Sequence, residues 1–319
     1  MNKSKRWLTT AFCLILLGAI LFIVAMTANH WDFEKLSTKA LVTNEYSISE
    51  DVISIRVLTD TADVLLLPTD GTSCRVVCEE YEPSSHTVTA HHGTLTVEIA
   101  DQRKWYDHIG IGIDKAKITI YLPAATYSLL SVDTDTGDIT VPPDFTFESI
   151  TLSTDTGDVT LAASASAVKL KTSTGDVLAE HIRASSFSCR TTTGNVTLTD
   201  ATVEADVGVN VSTGRVRLTD VTCRDLYSVG DTGDIKLTRV VAEETFTIRR
   251  STGDVRLDRC DASDVSITTD TGDVEGSLLT PKIFNALTDT GRMQVPDSSG
   301  VGTCKIITDT GDIKIRIEQ

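Results

Sequence analysis

The 319-residue sequence predicts an all-β protein: a single-stranded β-solenoid of about ten coils of 19–20 residues, preceded by one N-terminal transmembrane helix. Three observations predict it. A Thr-Gly dipeptide recurs ten times at a nearly fixed interval, apolar residues alternate with period two on both sides of each copy, and a 21-residue stretch without charge stands near the start. Hydrophobic residues make up 40% of the chain, which excludes disorder, while aromatics are only 5% and Val and Thr are abundant, as suits strands stacked on small side chains.

The charge-free stretch runs from Leu8 to Ala28, and about 20 residues cross a bilayer as a helix. Lys3, Lys5 and Arg6 precede it, Asp32 and Glu34 follow it, and Trp7 and Trp31 bracket it. Basic residues mark the cytoplasmic flank and aromatics the interfaces, so a single-pass cell-membrane protein is expected, N-terminus inside and the rest extracytoplasmic. A cleaved signal has an apolar core of about 7–15 residues, and no A-x-A site closes this longer one, so an uncleaved signal-anchor is expected. Residues 1–30 hold three bases and no acid, which leaves the exported part 26 basic and 45 acidic residues, a formal −19. That balance argues against nucleic acid and repels an anionic membrane or wall polymer unless cations bridge the two.

The expected organisation is 1–28 as cytoplasmic stub and anchor, 29–45 as stalk, 46–125 as a cap of degenerate β-coils, and 126–319 as regular repeats. A stalk of about 17 residues reaches at most about 60 Å, which favours a partner near the membrane. In the cap, Val52–Val57, Cys74–Cys78, Thr94–Ile99 and Lys117–Leu122 alternate as strands, and Thr61-Ala62-Asp63-Val64 mimics the repeat turn with Ala62 in place of glycine. The loop 101–112, with Trp105, Tyr106 and His108, is the cap's most distinctive surface.

The repeat glycines are Gly137, Gly157, Gly175, Gly194, Gly214, Gly233, Gly253, Gly272, Gly291 and Gly311, and the unit reads [D/S]-T-G-D. Apolar pairs fall two and four residues after glycine (Val159 with Leu161, Val255 with Leu257) and seven and five before it (Ile150 with Leu152, Phe246 with Ile248). A third pair follows at seven and nine, as in Val221 with Cys223. Each unit therefore supplies short strands that bury one face, and only stacking of units can bury it. Glycine permits the strained corner, and the flanking Asp and Thr bond the turn backbone. Ile313–Glu318 is expected as a last, charged-edged strand of an open coil.

These pieces together, Asp63-Val64-Leu65-Leu66-Leu67-Pro68, Ile118-Thr119-Ile120-Tyr121-Leu122-Pro123 and the ten Thr-Gly turns, resemble the bacterial β-strand-repeat family of domain of unknown function 4097, whose members carry the label "putative adhesin". The resemblance covers about residues 46–319. It implies an extracytoplasmic β-helix tied to adhesion or to envelope homeostasis, some relatives being membrane-anchored proteins of envelope-stress operons. It carries no catalytic residues.

Candidate chemistry lies first in the acidic columns. Asp135, Asp155, Asp270 and Asp309 share one phase, and Asp138, Asp158, Asp273 and Asp312 share another. Rows of carboxylates suit a hard cation such as Ca²⁺, and stacked like charges need screening or bridging. The G-G-x-G-x-D pattern of Ca²⁺-binding repeats is missing, so turn capping is the main expectation and no metal is assigned. Parity puts threonines such as Thr154 and Thr156 on the same side as the apolar strand positions, so many are expected to face inward, against a flat ice-binding array. Cys74, Cys78, Cys189, Cys223, Cys260 and Cys304 fall at positions that do not meet, so buried free thiols are expected. His86, His91, His92 and His108 near Cys74 and Cys78 match no tight zinc spacing and are expected as loop histidines. No nucleophile elbow, P-loop or dinucleotide fingerprint occurs, and the repeats lack insertions that would wall a groove. The expectation is thus a non-enzymatic interaction or structural module at the envelope, without cofactor or small-molecule substrate, partnered by an envelope protein or wall polymer. The alternatives are a surface adhesin for external surfaces or glycans, with or without Ca²⁺, and lastly a polysaccharide-acting enzyme.

Overall fold

The computed structural model describes residues 3–28, 41–81, 84–100, 115–297 and 299–318. Trp31, Asp32 and Glu34 of the expected flank, and Trp105, Tyr106 and His108 of the cap loop, lie outside the described residues. Helix α1 (Lys3–Ala28) is long and apolar enough over Thr10–Ala28 to cross a membrane, with a mean hydropathy of 2.7 and its apolar side chains largely exposed.

Beyond the helix the described chain is a β-solenoid. Each regular coil turns at its glycine: the strand before it forms a first face, the strand after it a second, and a following segment a third. Coils stack in parallel and in register, as Ile150 on Leu130 and on Val168, and Val159 on Ile139 and on Val177. The alternation read from the sequence is the burial pattern: Ile150, Leu152, Val159 and Leu161 are at most 1% exposed, and the third-face residues Val221 and Cys223 join the same core. Thr134, Thr154, Thr172, Thr191, Thr269 and Thr308 point inward at 3% exposure or less. All six cysteines beyond the helix are buried and free, with thiols pushed up by burial to about 11 for Cys74 and Cys260 and about 12 for Cys189, Cys223 and Cys304.

The stacking order departs from chain order at both ends. Near the start, β1 (Leu41–Ile48), β2 (Ser54–Thr59), β3 (Ala62–Thr69), β4 (Cys74–Tyr81), β5 (His86–His91), β6 (Thr94–Ile99), β7 (Ala116–Pro123), β8 (Thr126–Thr136) and β9 (Ile139–Val141) follow one another in sequence. In space, β2 and β3 lie between β6 and β7 on one side and β8 and β9 on the other. Beyond them β1–β4, β4–β7 and β5–β6 pair antiparallel. The cap is therefore not made only of degenerate parallel coils. Residues 41–45, expected as stalk, belong to β1. Period-two alternation is the same in both kinds of ladder, which is why the pattern does not distinguish them.

At the far end, strand Thr303–Thr310 pairs with Asp264–Thr271 on one side and with Ile283–Thr290 on the other. Ile313–Ile317 likewise lies between Val274–Leu278 and Met293–Gln294. The strand expected at the open edge is interior, and among the described residues the outermost coil at this end is 283–294. Hydrophobicity explains the exchange. The interior coil offers Cys304, Ile306, Ile313 and Ile315, all buried at 3% or less, whereas the outer one offers half-buried Phe284 and Ala286 and leaves Ile283, Leu287 and Met293 more than half exposed. A buried pair, Lys282 Nζ to Asp261 Oδ1 at 3.0 Å, secures the crossing.

Candidate functional site

The glycine corner is a backbone stack. A Cβ on Gly194 would lie 1.9 Å from the carbonyl oxygen of Gly175, and one on Gly175 the same distance from that of Gly157. Gly194 also holds φ at +148°, which side-chain-bearing residues resist. Gly137 meets Ala62 in the same way, so Ala62 does occupy the glycine position of an earlier coil.

Just past the glycines the acidic column is a hydrogen-bonded ladder. The backbone N–H of Asp138 donates to Asp63 Oδ1, that of Asp158 to Asp138 Oδ1 at 2.8 Å, and that of Asp176 to Asp158 Oδ1 at 2.7 Å. It continues from Asn195 to Asp176 and Arg215 to Asn195, then from Asp254 to Asp234, Asp273 to Asp254, Asp312 to Asp273 and Arg292 to Asp312. Each carboxylate thus caps the backbone of the next coil. Arg292 also bonds the Asp312 carboxylate through its side chain, and these bonds hold Asp312 below the usual carboxylate range. The other column, Asp135, Asp155, Asp270 and Asp309, stands exposed beside it. Among the described residues no three carboxylates of either column bring ligand atoms within 4.8 Å of one another.

Behind the corner the inward threonines tie adjacent coils: Thr154 Oγ1 donates to Gly137 O, Thr172 to Gly157 O, and Thr308 to Gly272 O. In three consecutive coils Val211, Gly230 and Arg250 replace them. Arg250 lies in the core at 3% exposure, and its Nη1 passes over Gly230 to donate to Val211 O at 2.7 Å. A second corner, unforeseen in the sequence, holds non-glycine residues at positive φ: His181, Asp200, Asp220, Arg239 and Arg259. Neighbouring coils pair there, His181 Nδ1 lying 2.7 Å from Asp200 Oδ2 and Arg239 bonding the Asp220 carboxylate.

The outward side of the second face departs from the acidic whole. Its outward column runs, coil by coil, Thr160, Leu178, Thr197, Arg217, Lys236, Arg256, Glu275, Lys314, Gln294. The half toward the cap is uncharged, and the far half is mostly basic. Gly276 occupies an inward position that leucine fills in earlier coils, and the ladder shifts register between Leu257 and Cys260. Around this irregularity opens a groove of about 540 Å³, lined by four bases, Lys236, Arg256, Lys314 and Arg316, and two acids, Asp258 and Glu275, with Leu257 and Ile315 beneath. Arg256 is braced by Glu275 at 3.0 Å and Asp254 at 2.8 Å, and these acids raise its pKa. Stacking alone creates this column: its neighbours are 18–20 residues apart in sequence, and Glu275 and Lys314 are 39 apart.

Within the cap, His86 is not a loop histidine. It is 5% exposed beside Cys78 and Glu80, the three offering ligand atoms mutually within 4.8 Å. Glu80 continues the inward phase of Cys74, Val76 and Cys78 along β4, an acid at a core position that alternation alone would have revealed. His91 and His92 lie at the hairpin end, where His91 is exposed.

Similar proteins are distant. No curated protein matches the chain. A solved "putative adhesin" from Parabacteroides distasonis ATCC 8503 is 12% identical, covering 88% of this chain and 98% of its own, with a TM-score of 0.41. A "putative adhesin" from Bacteroides fragilis NCTC 9343 is 14% identical over 88% and 99%, with a TM-score of 0.31. A "putative lipid binding protein" from Parabacteroides distasonis ATCC 8503 is 11% identical over 88% and 98%, with a TM-score of 0.30. The Toastrack DUF4097 pattern matches residues 52–210 and 202–319, nearly the whole of the chain beyond the helix, and the chain belongs to that family.

Proposed function

We propose that the chain is a non-enzymatic, membrane-anchored extracytoplasmic interaction module at the cell envelope, and that it engages an acidic partner through the basic groove of its second face. The carrying observation is the gathering of Lys236, Arg256, Lys314 and Arg316, with Arg217 on the neighbouring coil, against only Asp258 and Glu275 at the groove of a chain whose formal net charge is −16. Such a local excess of positive charge attracts and orients an acidic ligand. Single-pass anchoring with the N-terminus inside is supported by helix α1 and by Lys3, Lys5 and Arg6 at its start, ahead of the apolar span Thr10–Ala28. A role in envelope-stress regulation needs a membrane protein as that partner, whereas an adhesin role needs something outside the cell.

The test is site-specific photo-crosslinking in cells. A crosslinker at Lys236 or Lys314 is expected to capture a defined product, and one at Thr160 in the same column is expected to capture none. A membrane protein in fixed stoichiometry supports the regulatory role, and wall polymer supports a structural one. Equal capture at all three positions, or none at any, removes the groove as the interaction surface.

A further inference from the structure

We propose that Cys78, Glu80 and His86 form a buried site for a divalent transition-metal cation of the zinc class. The inference is independent of the basic groove and stands or falls separately.

The donor set comes first. Thiolate sulfur, imidazole nitrogen and carboxylate oxygen together are what zinc accepts, whereas Ca²⁺ and Mg²⁺ take oxygen alone. The ligand atoms of the three residues lie within 4.8 Å of one another, and among the described residues this is the only such group. Cys189, Cys223, Cys260 and Cys304, by contrast, are scattered over separate coils in the apolar core.

An outer layer of hydrogen bonds already orients the ligands. Thr59 Oγ1 lies 2.8 Å from His86 Nε2, and with the Nε2–H donating to it, Nδ1 is the nitrogen turned toward the cluster. Asn44 Nδ2 donates to Glu80 Oε1 at 2.6 Å, and the His86 backbone N–H donates to Glu80 Oε2 at 2.8 Å. Ligating histidines are held through their second ring nitrogen, and ligating carboxylates through a second bond, in just this manner.

The charge balances. Without metal, one proton lies in the hydrogen bond between His86 Nδ1 and Glu80 Oε2 at 2.6 Å, and the Cys78 thiol carries a second. A divalent cation displaces both protons. It forms bonds to thiolate, carboxylate and neutral imidazole, with water in the fourth position, and the resulting site carries no net charge. Neutrality is what residues 5% exposed or less require. The ion would staple β4 to the start of β5, over the Thr59 end of the coil stack.

Zinc sulfate and cobalt chloride are the probes, used on the full chain in detergent. After desalting, wild type is expected to retain one zinc per chain, and the cobalt form to show a thiolate charge-transfer band in the near ultraviolet. Cys74→Ser, altered at an equally buried thiol of the same strand, should keep both. Cys78→Ser should lose the band, and Asn44→Ala should bind about 10- to 100-fold more weakly. No retained zinc in wild type, or a band that persists in Cys78→Ser, overturns the site. Should Cys78→Ser fail to fold, the wild-type cobalt spectrum decides: its lacking a thiolate band overturns the assignment just as well.

Discussion

Replacing Asp158 separates the two roles a stacked carboxylate plays. Its Oδ1 accepts the N–H of Asp176, while its own N–H donates to Asp138 Oδ1. Adjacent coils are about 4.8 Å apart, so Asp158 stands about 5 Å from a like charge on either side. At that distance each repulsion amounts to about 1 kcal/mol in water, roughly halved by physiological salt. Asp158→Asn keeps the acceptor and removes both repulsions, as Asn195 does in its own coil, where it caps the Arg215 N–H and donates to the Asp176 carboxylate. The expected gain is about 1 kcal/mol at physiological salt and more at low salt, a rise of about 2–4 °C in Tm. Asp158→Ala gains the same relief but loses the cap, worth about 1 kcal/mol, and should come out near wild type. Thermal melts of both variants at two ionic strengths measure this. Equal Tm values for Asn and Ala would show that the ladder bond contributes nothing. A gain from Asn that persists in high salt would refute the repulsion. If instead Ca²⁺ raises the Tm of wild type and not of Asp158→Asn, the column is a cation site and capping is not its main role.

Three further outcomes follow from other contacts. Gly194→Ala forces a Cβ to within 1.9 Å of Gly175 O, so the coils must part, at a cost of about 3–5 kcal/mol; a denaturant midpoint within error of wild type would contradict the close stack. Lys282→Ala strands the buried Asp261 carboxylate and should destabilise by about 3–5 kcal/mol, with much of the loss recovered in the double variant with Asp261→Asn; a simply additive double variant would deny the pairing. Asp225, 7% exposed, accepts bonds from the Thr245 hydroxyl and from Arg224, which lower its pKa. A lowered carboxylate stabilises fully above its unfolded value, near pH 4, and loses that contribution as pH falls through the folded value. The Tm gap between wild type and Asp225→Asn should therefore be largest near neutrality and close below pH 4; a gap unchanged at pH 2 would refute the assignment.

Much of the coil was legible because one period governs it. The position of a residue relative to its glycine decided whether it faced inward, and this held for Thr154, for Cys189 and for Ala62 as a glycine substitute. What the period could not carry is which coil lies on which. Every unit presents the same apolar faces, so 264–278 stacks as readily on 303–317 as on 283–294, and the choice falls to the stronger core of Ile306, Ile313 and Ile315. The basic column has the same origin, because Lys236 and Arg256 become neighbours only through stacking. The second corner escaped notice because left-handed conformations there belong to His181, Asp200 and Arg239, without a glycine to mark them. Glu80 was legible in phase and hidden by its charge, since a carboxylate is ordinarily assigned to solvent.

The exchanged order of the last coils alters how the rod can come apart. Linear arrays usually loosen from an outer unit joined to the rest by one strand of chain. Here the outermost coil, 283–294, is entered from Leu278 and left toward Thr303, so it is held as a loop is held, at two points. It cannot peel away like the end of a thread, and pulling on residue 318 draws first on a coil clamped between two neighbours. Assembly bears the converse demand. The coil made earlier must wait, unpaired, until 303–317 has slipped in beneath it, so growth of the rod cannot proceed as a simple zipper from one end to the other.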